Sequence, residues 1–348
     1  MWHFIALDTH CHGTDLVCLD DHGRMVRKWN GPTTIPALVA AMESIPEPRA
    51  IAFEEGPLAD WLFRNLQGHA RRLIVCNPRR NALIAKDSDK DDAIDAEKLA
   101  DLLRGGYLQP VHHNESEERS IFKQTVAMYH RTVQHRVREA NRIIAQFRQW
   151  GVFVKEADFR SDELWSEQLS RLPEDTQLRG VLGSMFCIYR MALEQEIAMR
   201  RRMIQRTRRE EVIRRWCALP GISWIRGATF FVYLDTPWRF GTKSQLWRYM
   251  GVGLERRHSG GGPTVVRLSH QANHHLKGAI LGAAKSAIAI KKNPFADQYR
   301  RWRDTGLSHC IARRNVARSL AATVWSMWKH GDVYRPELVA ANGRRAPE

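Results

Sequence analysis

The chain has little that would suit a secreted or membrane protein. Its six cysteines contain no Cys-x-x-Cys spacing in 348 residues, which argues against the common zinc modules and a disulfide framework and favours a reducing compartment. The N-terminus lacks the basic and apolar regions of a signal peptide. The most apolar later run, 279–290, contains Lys285 and is too short to span a bilayer. We therefore expect a cytoplasmic protein with no membrane partner.

Acidic residues are scarce relative to basic ones. The chain has 38 Asp and Glu against 54 Lys and Arg, for a net charge of +16. Such a balance favours a nucleic-acid partner. Anionic membrane surfaces also attract basic proteins, but here the arginines are spread over several segments rather than gathered in one amphipathic tail. A hydrophobic fraction of 43% indicates a folded protein with room for two or three domains.

The hydrophobic pattern changes twice along the chain. The first 110 residues show three strands followed by alternating helices and strands, which predicts an α/β fold of the ribonuclease H type. Long Arg- and Glu-rich helical patterns at 118–150 and 178–216 predict paired helices of the coiled-coil kind. A helix-hairpin-helix-like segment at 219–223 then leads into apolar helices, interrupted by a polar loop at 255–263. The predicted segments are an α/β domain at 1–112, a helical middle at 113–215, a mostly helical domain at 216–335 and a flexible tail at 336–348.

Four acidic residues stand out because of where they fall. Asp8 and Glu54 each end a short apolar run, and Asp92 and Asp95 lie three residues apart at the start of a helical pattern. In a ribonuclease H-like sheet the first two would end neighbouring strands, and the last two would share one helix face. Converging carboxylates suit a pair of Mg²⁺ or Mn²⁺ ions in phosphodiester chemistry. The set predicts a metal site, although a turn at Asp8 or a helix N-cap at Asp92 would explain single members.

A serine lies between arginines and glycines in the last third of the chain. Ser259 follows Arg-Arg-His at 256–258 and precedes three glycines. The glycines permit close backbone approach to a ligand, the arginines suit a phosphate, and a serine hydroxyl can attack phosphorus. A flexible loop explains the same residues without chemistry. A second arginine-rich stretch, 200–215, includes Arg208 and Arg209 and predicts phosphate contacts, with a solvated helix face as the alternative.

Together these motifs resemble the DEDD transposases of insertion sequences, which carry a RuvC-like N-terminal domain and a separate C-terminal transposase domain. Leu7-Asp8-Thr9 and Phe53-Glu54-Glu55-Gly56 are similar to the first two acidic motifs of that family. Residues 90–100 match its K-x-D-x-x-D-A-x-x-L-A segment. Leu219-Pro220-Gly221-Ile222 and Arg257-His258-Ser259-Gly260 are similar to segments of its transposase domain. The likeness covers most of the chain.

Two departures from the family pattern leave alternatives open. The second motif here is Glu-Glu-Gly, one residue shorter than the usual E-A-T-G, so Glu55 is a rival to Glu54. Neighbouring residues on a strand point to opposite faces, so only one of the two is expected to face a metal ion. Ser259 is followed by Gly-Gly-Gly-Pro, which leaves Ser269 as the nearest other serine. We interpret Ser269 as structural or as a helix cap.

The resemblance implies an RNA-guided DNA recombinase. In that family a structured bridge RNA guides recombination between target and donor DNA, acidic residues hold Mg²⁺ near the scissile phosphate, and a serine attacks it. Because the two catalytic parts lie on different domains, a homodimer or tetramer is expected, acting at the bacterial nucleoid. The residues carried over are the nucleophile Ser259, the catalytic metal ligands Asp8, Glu54, Asp92 and Asp95, and the nucleic-acid contacts Arg256, Arg257 and Arg267, to which the arginine-rich stretch adds Arg208 and Arg209.

Two other functions fit the residues taken alone. A RuvC-like metal-dependent nuclease or junction resolvase would use the acidic residues and leave Ser259 in a passive loop. A nucleic-acid scaffold without enzymatic activity would depend on neither the serine nor the carboxylates.

Overall fold

Two units make up the chain, Met1–Ser120 and Ile121–Glu348, and the division falls in the first turns of a long helix. The computed structural model describes residues 1–78, 92–257, 265–269 and 272–342, and at 92, 93, 256, 257, 265, 341 and 342 it describes the backbone alone. The predicted mixture of an α/β beginning and a mostly helical remainder is confirmed. The finer segment boundaries at 112, 215 and 335 stay predictions.

The first unit is built on a five-stranded sheet. Its elements are β1 (His3–Thr9), β2 (Gly13–Leu19), β3 (Met25–Pro32), α1 (Ile35–Glu43), β4 (Arg49–Glu54), α2 (Ala59–Leu66), β5 (Arg72–Cys76) and α3 (Asp92–Arg104). The strand order is β3-β2-β1-β4-β5. The pairs β1–β2 and β2–β3 are antiparallel, whereas β1–β4 and β4–β5 are parallel. This order and these directions are consistent with the predicted ribonuclease H-like domain.

Side-chain alternation along the strands gives the sheet two buried faces. Odd-numbered residues of β1 and β4, such as Ile5 and Phe53, belong to the core that α1 and α2 complete. Even-numbered residues, such as Ala6 and Ala52, belong to a second core with Ala96 and its neighbours on α3. Small alanine side chains on these strands allow the helix to approach the sheet closely. The face covered by α3 is therefore the even-numbered face of β1 and β4.

Helices dominate the second unit. Its elements are α4 (Glu117–Gln149), α5 (Asp162–Leu169), α6 (Thr176–Thr207), α7 (Glu211–Trp216), α8 (Trp224–Leu234), α9 (Lys243–Tyr249), β6 (Leu254–Arg257), β7 (Val265–Leu268), α10 (His274–Ala289), α11 (Pro294–Asp304), α12 (His309–His330) and α13 (Pro336–Asn342). From Gly227 onward α8 is buried at every position, because its sequence is apolar on all sides. Its neighbours in the core come from α7, α10 and α12.

The long helices α4 and α6 pack side by side in opposite directions. Arg136 Nε of α4 lies 2.5 Å from Glu196 Oε2 of α6, and the Arg206 guanidinium lies over the Phe122 ring. The predicted pair of long helices is confirmed, although the second helix ends at Thr207 and a short link precedes α7. The supercoiled geometry of a coiled coil stays a prediction.

Two segments differ from the sequence-based expectation. The predicted polar loop at 255–263 begins in β6, which pairs with β7, since the β-branched pair Val265-Val266 resumes an extended chain after the glycines. The predicted flexible tail from 336 begins instead with α13. Pro336 suits a first helical position, Val339 is buried, and its C=O accepts a hydrogen bond from Gln298 Nε2 at 3.1 Å.

Candidate active site and nucleic-acid interface

Asp8 and Glu54 lie at the same edge of the sheet. The parallel register of β1 and β4 pairs Leu7 with Phe53. The next residues, Asp8 and Glu54, therefore lie side by side on neighbouring strands, whose backbones are about 4.8 Å apart. Both are even-numbered and therefore share the face covered by α3. The Asp8 side chain is 29% exposed, and its Oδ2 lies 3.5 Å from Nε2 of His10. Two acidic residues thus occupy neighbouring positions at the C-terminal edge of two parallel strands.

The alternation along β4 separates Glu54 from its rival Glu55. Glu54 follows Ala52 on the α3 face, whereas Glu55 continues the odd-numbered series of Phe53 on the opposite face. Glu55 is exposed, and its N–H donates to the Cys76 C=O at 2.8 Å. The register therefore favours Glu54 for any site between the sheet and α3.

The direction of α3 brings its N-terminal end to the same edge. Its last residue, Arg104, lies beside Gly23 in the turn between β2 and β3, which is the end of the sheet where β1 begins. Since α3 packs along β1 and β2, its first turn lies near the end of β1, where Asp8 is. Asp95 is half-buried there, four residues before the buried Leu99. Asp92 begins the helix, and its side chain lies outside the described part of the structure.

A fifth acidic residue, which sequence reasoning missed, shares this face. The antiparallel register places Asp15 of β2 directly opposite Asp8. Asn30 Nδ2 donates to Asp15 Oδ1 at 3.0 Å. The sequence indicates this position, because side chains two residues apart on a strand share a face, and Val17 and Leu19 pack against α3.

The described donors have the chemistry that hard cations prefer, since carboxylate oxygens are the usual ligands of Mg²⁺ and Mn²⁺. Among the side chains that the structure describes, no group of three or more His, Cys, Asp or Glu residues could hold a metal ion. Asp8, Glu54 and Asp95, whose side chains are described, therefore do not form such a group, and the Asp92 side chain lies outside the described part. The metal site stays a prediction.

The predicted nucleophile belongs to the connection between β6 and β7. The last described pair of this hairpin is Arg257 with Val265, and Ser259 lies in the segment 258–264, outside the described residues. Glu255 is opposite Arg267, which puts opposite charges across the ladder.

The base of this hairpin is held by neighbouring helices. Arg318 Nε of α12 donates to the Val252 C=O at 2.7 Å. A side chain at Gly253 would come within 2.5 Å of the Arg248 backbone nitrogen, so only glycine permits this approach. Ser269 is buried, and its N–H donates to the Gly253 C=O at 3.3 Å. The cap of α10 is Asn273, so the structure supports a structural role for Ser269 rather than a capping one.

The arginine-rich stretch contains both paired and exposed side chains. Arg206 Nη1 lies 2.7 Å from Glu210 Oε1, whereas Arg208 and Arg209 are exposed in the link between α6 and α7. A solvated helix face explains the paired Arg206 better, whereas the exposed Arg208 and Arg209 are available to contact a phosphate backbone. Their role in nucleic-acid binding stays a prediction.

A stacked pair of histidines joins α4 to α10 within the second unit. His130 lies 5.1 Å from His275 between ring centroids, and His275 stacks on Tyr233 of α8 at 4.9 Å. The His130 Nε2 contacts Thr229 Oγ1 at 2.9 Å. Burial, reinforced by His275, lowers the pKa of His130 from 6.5 to about 4. Burial also lowers the pKa of His275, with His274 and the nearby Arg131 adding to the effect.

This pair predicts a loss of stability in mild acid. The unfolded state binds the proton more tightly than the folded state, so the contribution of neutral His130 is complete above pH 6.5 and is lost as the pH falls toward about 4. His130→Gln removes the titrating group while an amide can still contact Thr229. The thermal midpoint of the variant should fall less across this range than that of the wild type. Parallel curves would show that His130 does not titrate on unfolding.

The family comparisons decide the identity. Residues 5–151 match a family model for transposases of the DEDD IS110 type, and residues 214–300 match the model described as Transposase IS116/IS110/IS902 family. The first range contains the sheet edge with Asp8 and Glu54, and the second contains the β6–β7 hairpin. Together the two ranges cover more than half of the chain. The chain belongs to the IS110 family of DEDD transposases.

This IS110-family transposase is therefore a DNA recombinase, and DNA is its partner. No curated protein sequence matches the chain. In the part of the chain that the structure describes, no helix combines the length and apolar composition needed to cross a membrane.

Proposed function

We propose that this transposase is an RNA-guided DNA recombinase that cuts and rejoins strands through a serine–phosphodiester intermediate. The observation that carries the proposal is the adjacency of Asp8 and Glu54 at the edge toward which the first turn of α3 is directed. Ser259, which follows two arginines in the sequence between β6 and β7, would supply the second catalytic part. We place the protein in the bacterial cytoplasm, at the nucleoid.

The acidic residues would hold Mg²⁺ or Mn²⁺. Asp8 and Glu54 would do so from the strands, and Asp92 and Asp95 from α3. A bound pair of such ions neutralises the charge that develops on the attacking and leaving oxygens. The carboxylates themselves would fix where the ions lie relative to the sheet edge, because all four belong to regular elements, β1, β4 and α3.

The serine step conserves the number of phosphodiester bonds. The Ser259 oxygen forms a bond to phosphorus as the bond from phosphorus to one deoxyribose oxygen breaks. The serine proton is lost, and the leaving deoxyribose oxygen takes up a proton. The reverse reaction with a hydroxyl from another strand restores the serine and joins the new strands. Recombination therefore needs no external energy source.

Sequence recognition would come from a structured bridge RNA. The protein would then contact mainly phosphates and helical shape, which fits a net charge of +16 carried largely by scattered arginines. Arg256, Arg257 and Arg267 on the hairpin and Arg208 and Arg209 on the α6–α7 link are the proposed contacts. Target and donor DNA bound together would engage a dimer or tetramer of the chain.

Dependence on RNA tests this proposal. The protein is produced together with the flanking sequences of its own insertion element, and any bound RNA is recovered and sequenced. Recombination between target and donor plasmids should require that RNA, and changing the pairing segment should redirect the target. If RNA-free protein recombined the plasmids as efficiently as the protein with RNA, guidance by RNA would be contradicted. Cleavage of branched DNA without rejoining would indicate the alternative, a RuvC-like junction resolvase.

A further inference from the structure

A tryptophan is exposed on the loop between α8 and α9. Trp238 lies in the short 3-10 helix Pro237–Arg239, and 69% of its surface is exposed. An indole left in water forgoes the stabilisation of burial, and tryptophan is enriched at binding interfaces. The catalytic parts described above do not use this residue.

The backbone that leads to Trp238 is held in an unusual conformation. Asp235 has a φ of 69° and a ψ of −52°, and the Thr236 N–H donates to the Leu234 C=O at 2.9 Å across it. This is a γ-turn of the kind that is rare and strained for residues other than glycine. Such conformations persist where the surroundings fix them and are frequent at functional sites.

Two contacts hold the loop on either side of the exposed ring. The Pro237 C=O accepts a buried hydrogen bond from Trp325 Nε1 of α12 at 2.7 Å. The Arg239 guanidinium lies 4.2 Å from the Tyr249 ring centroid, and its Nη1 donates to the Tyr249 hydroxyl at 3.1 Å. Trp238 is thus presented on a fixed backbone, which lowers the ordering cost of binding.

The charge around Trp238 is positive. Lys329 Nζ of α12 lies 5.1 Å from the Trp238 ring centroid. Arg239, Lys243 and Arg248 follow Trp238 in the sequence, whereas the preceding acidic residue, Asp235, is buried. Aromatic rings beside cations are the combination by which proteins hold single-stranded nucleic acid, because the ring stacks on a base while the cation meets a phosphate. A protein partner would not require this charge.

We propose that Trp238 is a stacking platform for an unpaired nucleobase, with Lys329 meeting the adjoining phosphate. The inference deepens the proposed function, because strand exchange and RNA guidance both leave bases unpaired. The base belongs to a DNA strand or to the guide RNA, and the shared chemistry is a planar base beside a phosphate.

Binding measurements with matched variants test the platform. Labelled single-stranded DNA and RNA of one sequence, and the corresponding DNA duplex, are titrated with the full-length protein. Trp238→Ala should weaken single-strand binding about tenfold, the loss expected for one stacked base, and leave duplex binding unchanged. Trp238→Phe should retain most of the affinity. Trp150→Ala removes a tryptophan that is also exposed, at 50%, and should have no effect.

Abasic substitutions locate the stacked base. Replacing bases one at a time with abasic positions should weaken binding by the wild-type protein at one position. The affinity of the Trp238→Ala protein should not change when that same base is removed. A loss confined to DNA or to RNA identifies the strand, and either supports the platform. The Ser259→Ala protein should show the same binding profile, so a failure of the serine chemistry would leave this test intact.

Two results would overturn the platform. One is single-strand affinity of Trp238→Ala equal to that of the wild type, with an unchanged unfolding midpoint. The other is loss of binding only together with a fall in oligomer mass, which would assign Trp238 to an interface with a second copy of the chain. Mass photometry of the variant at the concentrations of the titration separates these outcomes from loss of stacking.

Discussion

Ser259→Ala should abolish the covalent protein–DNA adduct and lower strand exchange by at least about 10³-fold, the scale of losing a nucleophile. The substitution removes only the oxygen that would bond to phosphorus. The three following residues are glycines, so no neighbouring hydroxyl can replace it. DNA and metal binding should be retained, because the proposed contacts for both lie on other residues.

Ser269→Ala is the comparison for this experiment. Ser269 is the nearest other serine that follows, but it is buried and its N–H is bonded at the base of the hairpin. The variant should retain the adduct, even if its stability falls. Denaturing gels with end-labelled DNA report the adduct directly. Normal adduct yield from Ser259→Ala, or its loss from Ser269→Ala in folded protein, would show that the serine assignment is wrong.

Asp8→Asn and Glu54→Gln should each lower strand cleavage by at least about 10²-fold, because each removes a negatively charged ligand of the metal ions that would neutralise the negative charge developing at the scissile phosphate. Both substitutions keep the shape of the side chain. Their positions at strand ends leave the core unchanged, so the unfolding midpoint should not fall.

Glu55→Gln is the matched control, since it makes the same chemical change one residue away on the opposite face of the sheet. Its cleavage rate should stay within about threefold of the wild type, as for a surface substitution away from the chemistry. Titration of Mg²⁺ into each variant, followed by cleavage of supercoiled DNA, compares them. A large effect of Glu55→Gln with a small effect of Glu54→Gln would reverse the assignment.

The sheet could be predicted because its residues follow simple rules. Alternating apolar residues and the turn residues between them predict β1 to β3. Because side chains alternate between the two faces of a sheet, Asp8 and Glu54 are then expected on one face. Asp15 was missed for a different reason. Its significance depends on which residue pairs with it across the strands, and the register of β1 with β2 puts it opposite Asp8.

The second unit was harder to predict because long-range contacts determine it. The sequence indicates a loop where the β6–β7 hairpin lies, since the strands are only four residues long and the backbone before β6 is held by Arg318, far along the chain. Nothing in the sequence around Trp238 predicts that this side chain is exposed. Its exposure follows from the γ-turn at Asp235 and from Trp325, which binds the loop backbone from α12.

Mapping the covalent adduct to one peptide tests the central claim most directly. Wild-type protein with its RNA is trapped on nicked DNA and digested with trypsin, which cuts after Arg257 and Arg267. The resulting peptide, 258–267, contains Ser259 and Thr264 as its only hydroxyl residues, and Ser269 falls in the next peptide. We expect phosphodeoxyribose on Ser259. DNA attached to any other residue, or cleavage by hydrolysis with no adduct, would contradict the account.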